Sequence, residues 1–206
     1  MIRVSRRLYR DRGGVTAIEF GIVAPVMALL MTGLGDLGYQ MYVKELLTGS
    51  VQKAARDSAI QGGAQQIATI DGKVLAMIGT IMKRPAPSCA ATPAAGTYCS
   101  TRLAYATFSA VGPERFEDGN GNNQRDPGEC YIDVNGNKQW DAEPGSVGQG
   151  GANDVTLYTI SITYPRLFPF ARLIGVKPNQ TATAQTLLKN QPYATQAAST
   201  ATRLCN

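Results

Sequence analysis

Apolar residues follow three rhythms along this chain. From Val15 to Gly35 they are nearly continuous, VTAIEFGIVAPVMALLMTGLG, with Glu19 the one ionisable side chain. As a helix this run rises about 31 Å, enough to cross a hydrocarbon core of roughly 30 Å. From Asp36 to Gln61 the pattern loosens to an imperfect helical stripe (Leu37, Met41, Leu47, Val51, Ala54, Ala55, Ile60) that Gly62-Gly63 ends. A second helix is predicted over Ala64–Met82, where Ile67, Ile70, Val74, Leu75, Ile78, Ile81 and Met82 share one face, and Pro85 stops it. Three later runs alternate or are β-branched: Leu103–Val111, Val155–Tyr164 and Gln180–Lys189. No strand alternates regularly with a helix, so the expected class is α+β: a long N-terminal transmembrane helix continuing into a head with a second helix and a small antiparallel sheet. The expected segments are a leader at 1–14, the span at 15–35, a helical region at 36–84 and a β-rich head at 85–206. That head carries a polar insertion at 117–154.

Charge changes the picture at the N-terminus. The chain carries a formal +5, and residues 1–14 hold Arg3, Arg6, Arg7, Arg10 and Arg12 against Asp11, a local +4. Positive charge before an apolar span keeps that end cytoplasmic and sends the remainder across. A cleaved secretory signal fits less well, because the run is long and has no small-x-small site before a polar start. There is no histidine, which removes Ser-His-Asp and Cys-His nucleophiles, His-ligated zinc and a histidine pH switch.

Glu19 lies one turn inside the span, where a carboxylate is costly. Around it stand Gly13-Gly14, then Val15-Thr16-Ala17-Ile18-Glu19-Phe20. A basic leader, a glycine, four mostly apolar residues, a glutamate and an aromatic resemble the processing site of type IV prepilin-like proteins. The resemblance implies that a prepilin peptidase cuts between Gly14 and Val15, and that Glu19 then neutralises a neighbouring subunit's new α-amino group. More narrowly, RDRGGVTAIEFGIVAPVMALL (Arg10–Leu30), with Pro25 in its span, is similar to the TadE family of the tight-adherence (Flp) pilus system. DVTLYTISITYPRLFPFARLIG followed by LLKNQPY resembles the C-terminal portion of TadE-like proteins. What this implies is a pilin-like plan, a protruding helix plus a small head, and a pseudopilin-like or minor-pilin role rather than catalysis.

Cys89, Cys99, Cys130 and Cys205 all follow the span, and an even number on the non-cytoplasmic side favours disulfides. Four cysteines allow three connectivities. Closing the short Pro/Ala/Gly/Thr loop as Cys89–Cys99 is the first choice, which leaves Cys130–Cys205 to tie down the tail. The Ala/Thr/Gln-rich stretch after Asn190 is otherwise expected to be poorly ordered. Tyr164–Gly175, YPRLFPFARLIG, reads as a packed apolar connection, with Leu167, Phe168 and Phe170 as an exposed contact patch the alternative.

The insertion EDGNGNNQRDPGECYIDVNGNKQWDAEPGSVGQGGAND repeats a short pattern 15 residues apart, Asp118-x-Asn120-Gly-Asn122 and Asp133-x-Asn135-Gly-Asn137. In an EF-hand-type loop, oxygen ligands come from positions 1, 3, 5, 7, 9 and 12. The first copy places Asp118, Asn120, Asn122, the Gln124 carbonyl, Asp126 and Glu129 there, with Asn123 where glycine is expected at position 6. The second supplies Asp133, Asn135, Asn137, the Gln139 carbonyl and Asp141, with Lys138 at position 6 and Pro144 at position 12. Glu143 comes one residue early, so this copy is expected to be weaker or to share ligands. A structural Ca2+ is the expected cofactor; ordinary turn chemistry accounts for the same residue types otherwise. Tyr131, Ile132 and Trp140 are expected to pack the insertion onto the head.

No Gly-rich phosphate loop or nucleophile elbow is present, so no enzyme activity is expected. If the leader is removed, +4 of the +5 leaves with it and the mature chain is near +1. Nucleic acid therefore drops from the expected partners, as does a small-molecule substrate. The expected partners are the inner membrane, other pilus subunits and the prepilin peptidase. The expected location is the bacterial inner membrane, single-pass, N-terminus cytoplasmic and head periplasmic, with entry into the pilus left open. The alternative is an unprocessed, signal-anchored, calcium-stabilised adhesin.

Overall fold

The computed structural model of the chain describes residues 13–59, 67–168, 175–191 and 201–205. It is α+β. Helix α1 (Gly13–Ala59) runs unbroken through Pro25, and α2 spans Ile67–Met77. A five-stranded sheet contains β1 (Ala86–Pro87), β2 (Thr97–Tyr105), β4 (Ser146–Val147), β5 (Val155–Pro165) and β6 (Asn179–Lys189). Its order is β1-β2-β5-β6, with β4 also on β2. The two remaining strands, β3 (Cys130–Asp133) and β7 (Thr202–Cys205), form a separate antiparallel pair. The chain forms two compact units: Met1–Tyr42 with Pro165–Pro178, and Val43–Tyr164 with Asn179–Asn206.

In the first unit α1 is apolar and exposed along its length: Ile18, Phe20, Ile22, Val26, Leu30 and Leu34 all face outward. A helix apolar on every side is built to be covered, by protein or by lipid. By length and composition this segment is a candidate membrane span.

In the second unit the same helix becomes one-sided. Val43, Leu47, Ser50, Val51, Ala54, Ala55 and Ser58 are buried on one face, while Lys44, Glu45, Gln52, Lys53 and Arg56 between them are exposed. The buried stripe thus begins at Val43; Leu37 and Met41, expected on it, are exposed instead, and Ile60 lies outside the described residues. Helix α2 buries Ile70 and Val74. The helix stops at Met77, short of the expected Met82, because the chain tightens into turns there, Gly79 N–H bonding to Ala76 O and Ile81 N–H to Ile78 O. Ile78 and Met82 stay buried, so the stripe outlasts the helix. The expected start of α2 at residues 64–66 lies outside the described residues.

β5 supplies the sheet's share of the core: Tyr158, Ile160, Ile162 and Tyr164 alternate inward and are essentially fully buried. The strand expected over Leu103–Val111 is instead Thr97–Tyr105. β2 pairs with β5 from Thr97↔Thr163 to Tyr105↔Val155 and ends where its partner begins. The polar stretch TYCSTR was no strand by hydropathy, yet its backbone is claimed by β5; Phe108–Ala110 turns instead into a short 3-10 helix. Strands β1, β3, β4 and β7 were likewise not expected from pattern, being two to four residues long.

One buried ion pair joins the layers. Asp71 of α2 takes Arg102 Nη2 on Oδ1 at 2.6 Å, and the Tyr158 hydroxyl donates to the same oxygen at 2.7 Å. Ser100 Oγ donates to Oδ2 at 2.7 Å, and the Arg102 guanidinium lies 4.2 Å from the Tyr158 ring centre. Burial, reinforced by the Asp71 carboxylate, pushes the Tyr158 hydroxyl well above its ordinary 10.0. Near the end of α1, buried Gln149 donates to Ser58 O and Asn190 Oδ1, and Asn190 donates to the carbonyls of Gln149 and Gly151.

Asp71→Asn leaves the Arg102 charge buried without a counter-charge. It is expected to cost about 3–5 kcal/mol, the range for breaking a buried pair from one side. Denaturant unfolding of the full chain in detergent micelles measures it. A loss below 1 kcal/mol would show that water or rearrangement compensates.

Candidate functional site

Two regions carry the residues singled out by sequence. At the N-terminus, Gly14 and Val15 lie in the first turn of α1, and Glu19 and Phe20 are exposed on the same helix beside Ile18 and Ile22. Gly13 and Gly14 are poor helix formers, each costing about 1 kcal/mol relative to alanine in a helix interior.

The insertion folds as two loops with matching backbones. In the first, Asp118 accepts amide hydrogens from Gly121, Asn122 and Asn123; in the second, Asp133 accepts from Gly136 and Lys138. The amide groups of Asn120 and Asn122 both donate to Asp126, and those of Asn135 and Asn137 both donate to Asp141. Position 6 is left-handed in both copies, Asn123 at φ 60° and Lys138 at φ 62°. Glycine is expected there for that reason, and two non-glycine residues hold the conformation because their amides are bonded to the first aspartate of each loop. Gln124 and Gln139 donate their backbone amides to Asn122 and Asn137 respectively.

The twelfth position shows how the copies relate. In the first loop Glu129 closes the turn by accepting from Gly119 N–H on Oε1 and Asp126 N–H on Oε2. In the second, the corresponding amides, Val134 and Asp141, donate to Oε1 and Oε2 of Glu114, at 2.8 and 3.0 Å. Glu114 comes from before the first loop, and it is buried. The second copy, expected to be weaker or to share ligands with the first, thus has its two amides bonded to a glutamate from outside its own frame. Pro144 does occupy its twelfth place, but Glu114 does the work, while Glu143 is engaged by the Tyr105 hydroxyl.

The repeat is longer than its obvious core. Glu114 precedes Asp118 by four residues, and Glu129 precedes Asp133 by four. Each repeat gives its glutamate to the loop of the other. The segments between glutamate and aspartate lie antiparallel, with Phe116 opposite Tyr131 and bonds from Glu117 N–H to Cys130 O and Ile132 N–H to Arg115 O. The eighth residues repeat the exchange: Arg125 covers the Tyr131 ring, and Trp140 meets Phe116 edge-on, its indole N–H donating to Glu114 O. Tyr131 is buried and Ile132 and Trp140 are half-buried, and the ring contacts of Tyr131 and Trp140 are with Arg125 and Phe116, inside the insertion and its flank. Glu114 lies upstream of the Asp-x-Asn-Gly-Asn core, where only a backward extension of the 15-residue repeat reaches it.

Disulfides join Cys89 to Cys99 and Cys130 to Cys205, the pairing expected. The second lies in register across β3 and β7, and Arg203 forms a two-pronged pair with Glu117 beside it. A two-stranded ribbon is marginal by itself; closing 75 residues of chain removes denatured-state freedom worth roughly 4 kcal/mol in the chain-entropy picture.

The electrostatics of the paired loops are one-sided. Among the described residues, none of Glu114, Asp118, Asp126, Glu129, Asp133 and Asp141 is ion-paired with lysine or arginine. Also among the described residues, no three carboxylate or cysteine side chains converge closely enough to hold a metal by themselves. The residues that the sequence singles out in each loop are carboxylates, asparagines and one backbone carbonyl, all oxygen donors, the ligand type of a hard cation.

Residues 14–56 match the family described as TadE-like protein. The match begins at Gly14 and covers the exposed apolar stretch of α1 and most of its buried stripe. It associates the TadE-like segment with the Tad pilus. No curated protein and no solved structure matches the chain.

The amide of Asn123 foremost, with those of Gly121 and Asn122, holds the Asp118 carboxyl below its ordinary 3.8. A depressed folded value means that this stabilisation is intact above pH 3.8 and is lost as pH falls through that lower value. Thermal unfolding followed against pH is expected to show an acid decline that Asp118→Asn reduces. An unchanged decline would show that the loop is not held through this carboxylate.

Proposed function

We propose that the chain is a pseudopilin-like or minor pilin subunit for assembly of a Tad (Flp) type IV pilus. The observation that carries this is the TadE-like match, which begins at the residue where processing is expected. In this reading the basic leader holds the N-terminus in the cytoplasm and α1 spans the inner membrane. The disulfide-bonded head lies in the periplasm, where oxidised cysteines persist. A prepilin peptidase removes residues 1–14 by cutting after Gly14, and the weak glycine turn eases entry to its cleft. Glu19, exposed among apolar neighbours, then meets the freed α-amino group of an adjacent subunit, a pairing that gains strength away from water. The all-round apolar surface of α1 suits both lipid before assembly and neighbouring helices after it.

Co-expression with an active prepilin peptidase is expected to shorten the chain to a species starting at Val15, read by intact mass. Gly14→Asp is expected to block the cut, and Glu19→Gln to leave it in place while abolishing incorporation. A full-length chain beside an active peptidase would overturn processing and favour the signal-anchored adhesin.

We further infer that the paired loops take structural Ca2+, a reading the Glu114 exchange favours in either case. Asp118, Asn120, Asn122, the Gln124 carbonyl, Asp126 and Glu129 would hold one ion. Asp133, Asn135, Asn137, the Gln139 carbonyl, Asp141 and Glu114 would hold the other. Bound there, the cation would supply the positive charge that these carboxylates lack. Because each glutamate belongs to the other repeat, filling one loop orders the strand segment that feeds the second.

Titration of the full chain with Ca2+ is expected to change Trp140 fluorescence in the range of about 0.1–1 mM, typical of extracellular modules. Calorimetry should count two ions, falling to one in either Glu114→Gln or Glu129→Gln. Absence of any response to millimolar Ca2+ would sink the reading.

A further inference from the structure

We propose that Asn120 and Asn135 are covalent modification sites, each deamidated by attack of the glycine that follows it, with the closed loop as the gate on the reaction. The chain has two Asn-Gly steps, Asn120-Gly121 and Asn135-Gly136, and they fall at the same place in the two loops. All four residues are exposed, so water reaches them.

The chemistry needs only the chain and water. The Gly121 backbone nitrogen bonds to Asn120 Cγ and gives up its proton to solvent. The Cγ–Nδ2 bond breaks, and the side-chain nitrogen takes up a proton and leaves as ammonia. The product is a five-membered succinimide. Water then adds to one of its two ring carbonyls and opens it, to aspartate or to isoaspartate. Glycine permits the attack because it has no Cβ to obstruct ring closure. Gly136 stands in the same relation to Asn135.

The closed loops hold every participant out of that geometry. The attacking nitrogen is engaged: Gly121 N–H donates to Asp118 Oδ1 at 2.7 Å, and Gly136 N–H to Asp133 Oδ1 at 2.6 Å. The side-chain carbonyl is engaged too, Asn120 Oδ1 accepting from Asn122 N–H at 3.0 Å and Asn135 Oδ1 from Asn137 N–H at 3.1 Å. So is the leaving nitrogen, with Asn120 Nδ2 on Asp126 Oδ2 at 2.6 Å and Asn135 Nδ2 on Asp141 Oδ2 at 2.7 Å. Turning Cγ onto the glycine nitrogen breaks these bonds, so the reaction runs from the opened loop at a rate set by how often it opens. Closure after reaction is not the same closure. A carboxylate at 120 has no hydrogen to give Asp126 and sets a like charge beside it, and one at 135 does the same to Asp141. Each conversion therefore biases its own loop to stay open.

The test incubates the full chain in detergent micelles near neutral pH in heavy-oxygen water, with a chelator so that the outcome is independent of Ca2+. A parallel sample is reduced and unfolded in denaturant. Peptide mass mapping reads conversion at each asparagine, and the oxygen label separates it from conversion during digestion. Both sites are expected to convert at least about tenfold more slowly in the folded chain, as for a loop open about one time in ten or less. Equal rates in the two samples would overturn the gate, and no conversion even when unfolded would overturn the sites; neither comparison needs a variant. Asp126→Ala is expected to speed Asn120 more than Asn135, and Asp141→Ala the reverse. Equal effects on both sites, or none, in variants that keep the parent's near-ultraviolet circular dichroism would overturn the assignment of the gate to these bonds. Asn120→Asp is expected to lower the denaturant midpoint of unfolding, and an unchanged or raised midpoint would overturn the bias toward the open loop.

Discussion

The Asp71–Arg102 pair is the point on which the second unit depends. Each charge would be costly to bury alone, and the pair is tolerated only because its geometry is filled in by Tyr158 and Ser100. The requirement is specific: α2 must present Asp71 over β2, and β5 must place Tyr158 beneath it. Apolar burial of Ile70, Val74, Ile160 and Ile162 would accept several arrangements of helix on sheet. The polar network accepts far fewer, because any slip strands a carboxylate or a guanidinium without partners.

The paired loops are organised by a comparable constraint with no ion pair to satisfy it. Six carboxylates are gathered on backbone amides and asparagine side chains, and two of them, Glu114 and Asp133, are buried. The repeats are interdependent, since the second loop closes on Glu114, which precedes the first, and the first closes on Glu129, which leads into the second. The Cys130–Cys205 bridge fixes the strand from which the second loop departs, and the Glu117–Arg203 pair fixes the segment feeding the first. A region with little apolar content thereby acquires a defined shape.

Much of the fold was legible because it rests on periodicity. The apolar run of α1, the faces of α2, and the alternation in β5 and β6 are each set by neighbours along one element. The extent of β2 was not legible: Thr97–Arg102 is polar and becomes strand only because β5 offers a partner for every residue from Thr97 to Tyr105. The start of the buried stripe at Val43 was hidden for a related reason. Leu37, Met41 and Val43 are equally apolar, and only their surroundings decide which of them meets protein. In the candidate site, the aspartates and asparagines could be read from a repeated spacing, whereas Glu114 lay outside the frame in which the spacing was counted.

By itself the sequence determined the properties that are local: an all-round apolar helix behind an Arg-rich segment, the glycine pair before Val15, the class of the fold, and the two acidic repeats. These follow from side-chain chemistry at short separation, which no later contact alters. The tertiary structure alone decided which glutamate closes which loop, where helix burial begins, and that Arg166 meets Asp36 across 130 residues of chain. Those outcomes depend on distances that exist only after β5 and β6 have paired and the repeats have turned back on one another. A pattern along the chain cannot specify which distant residues are brought together when several candidates have the same chemistry.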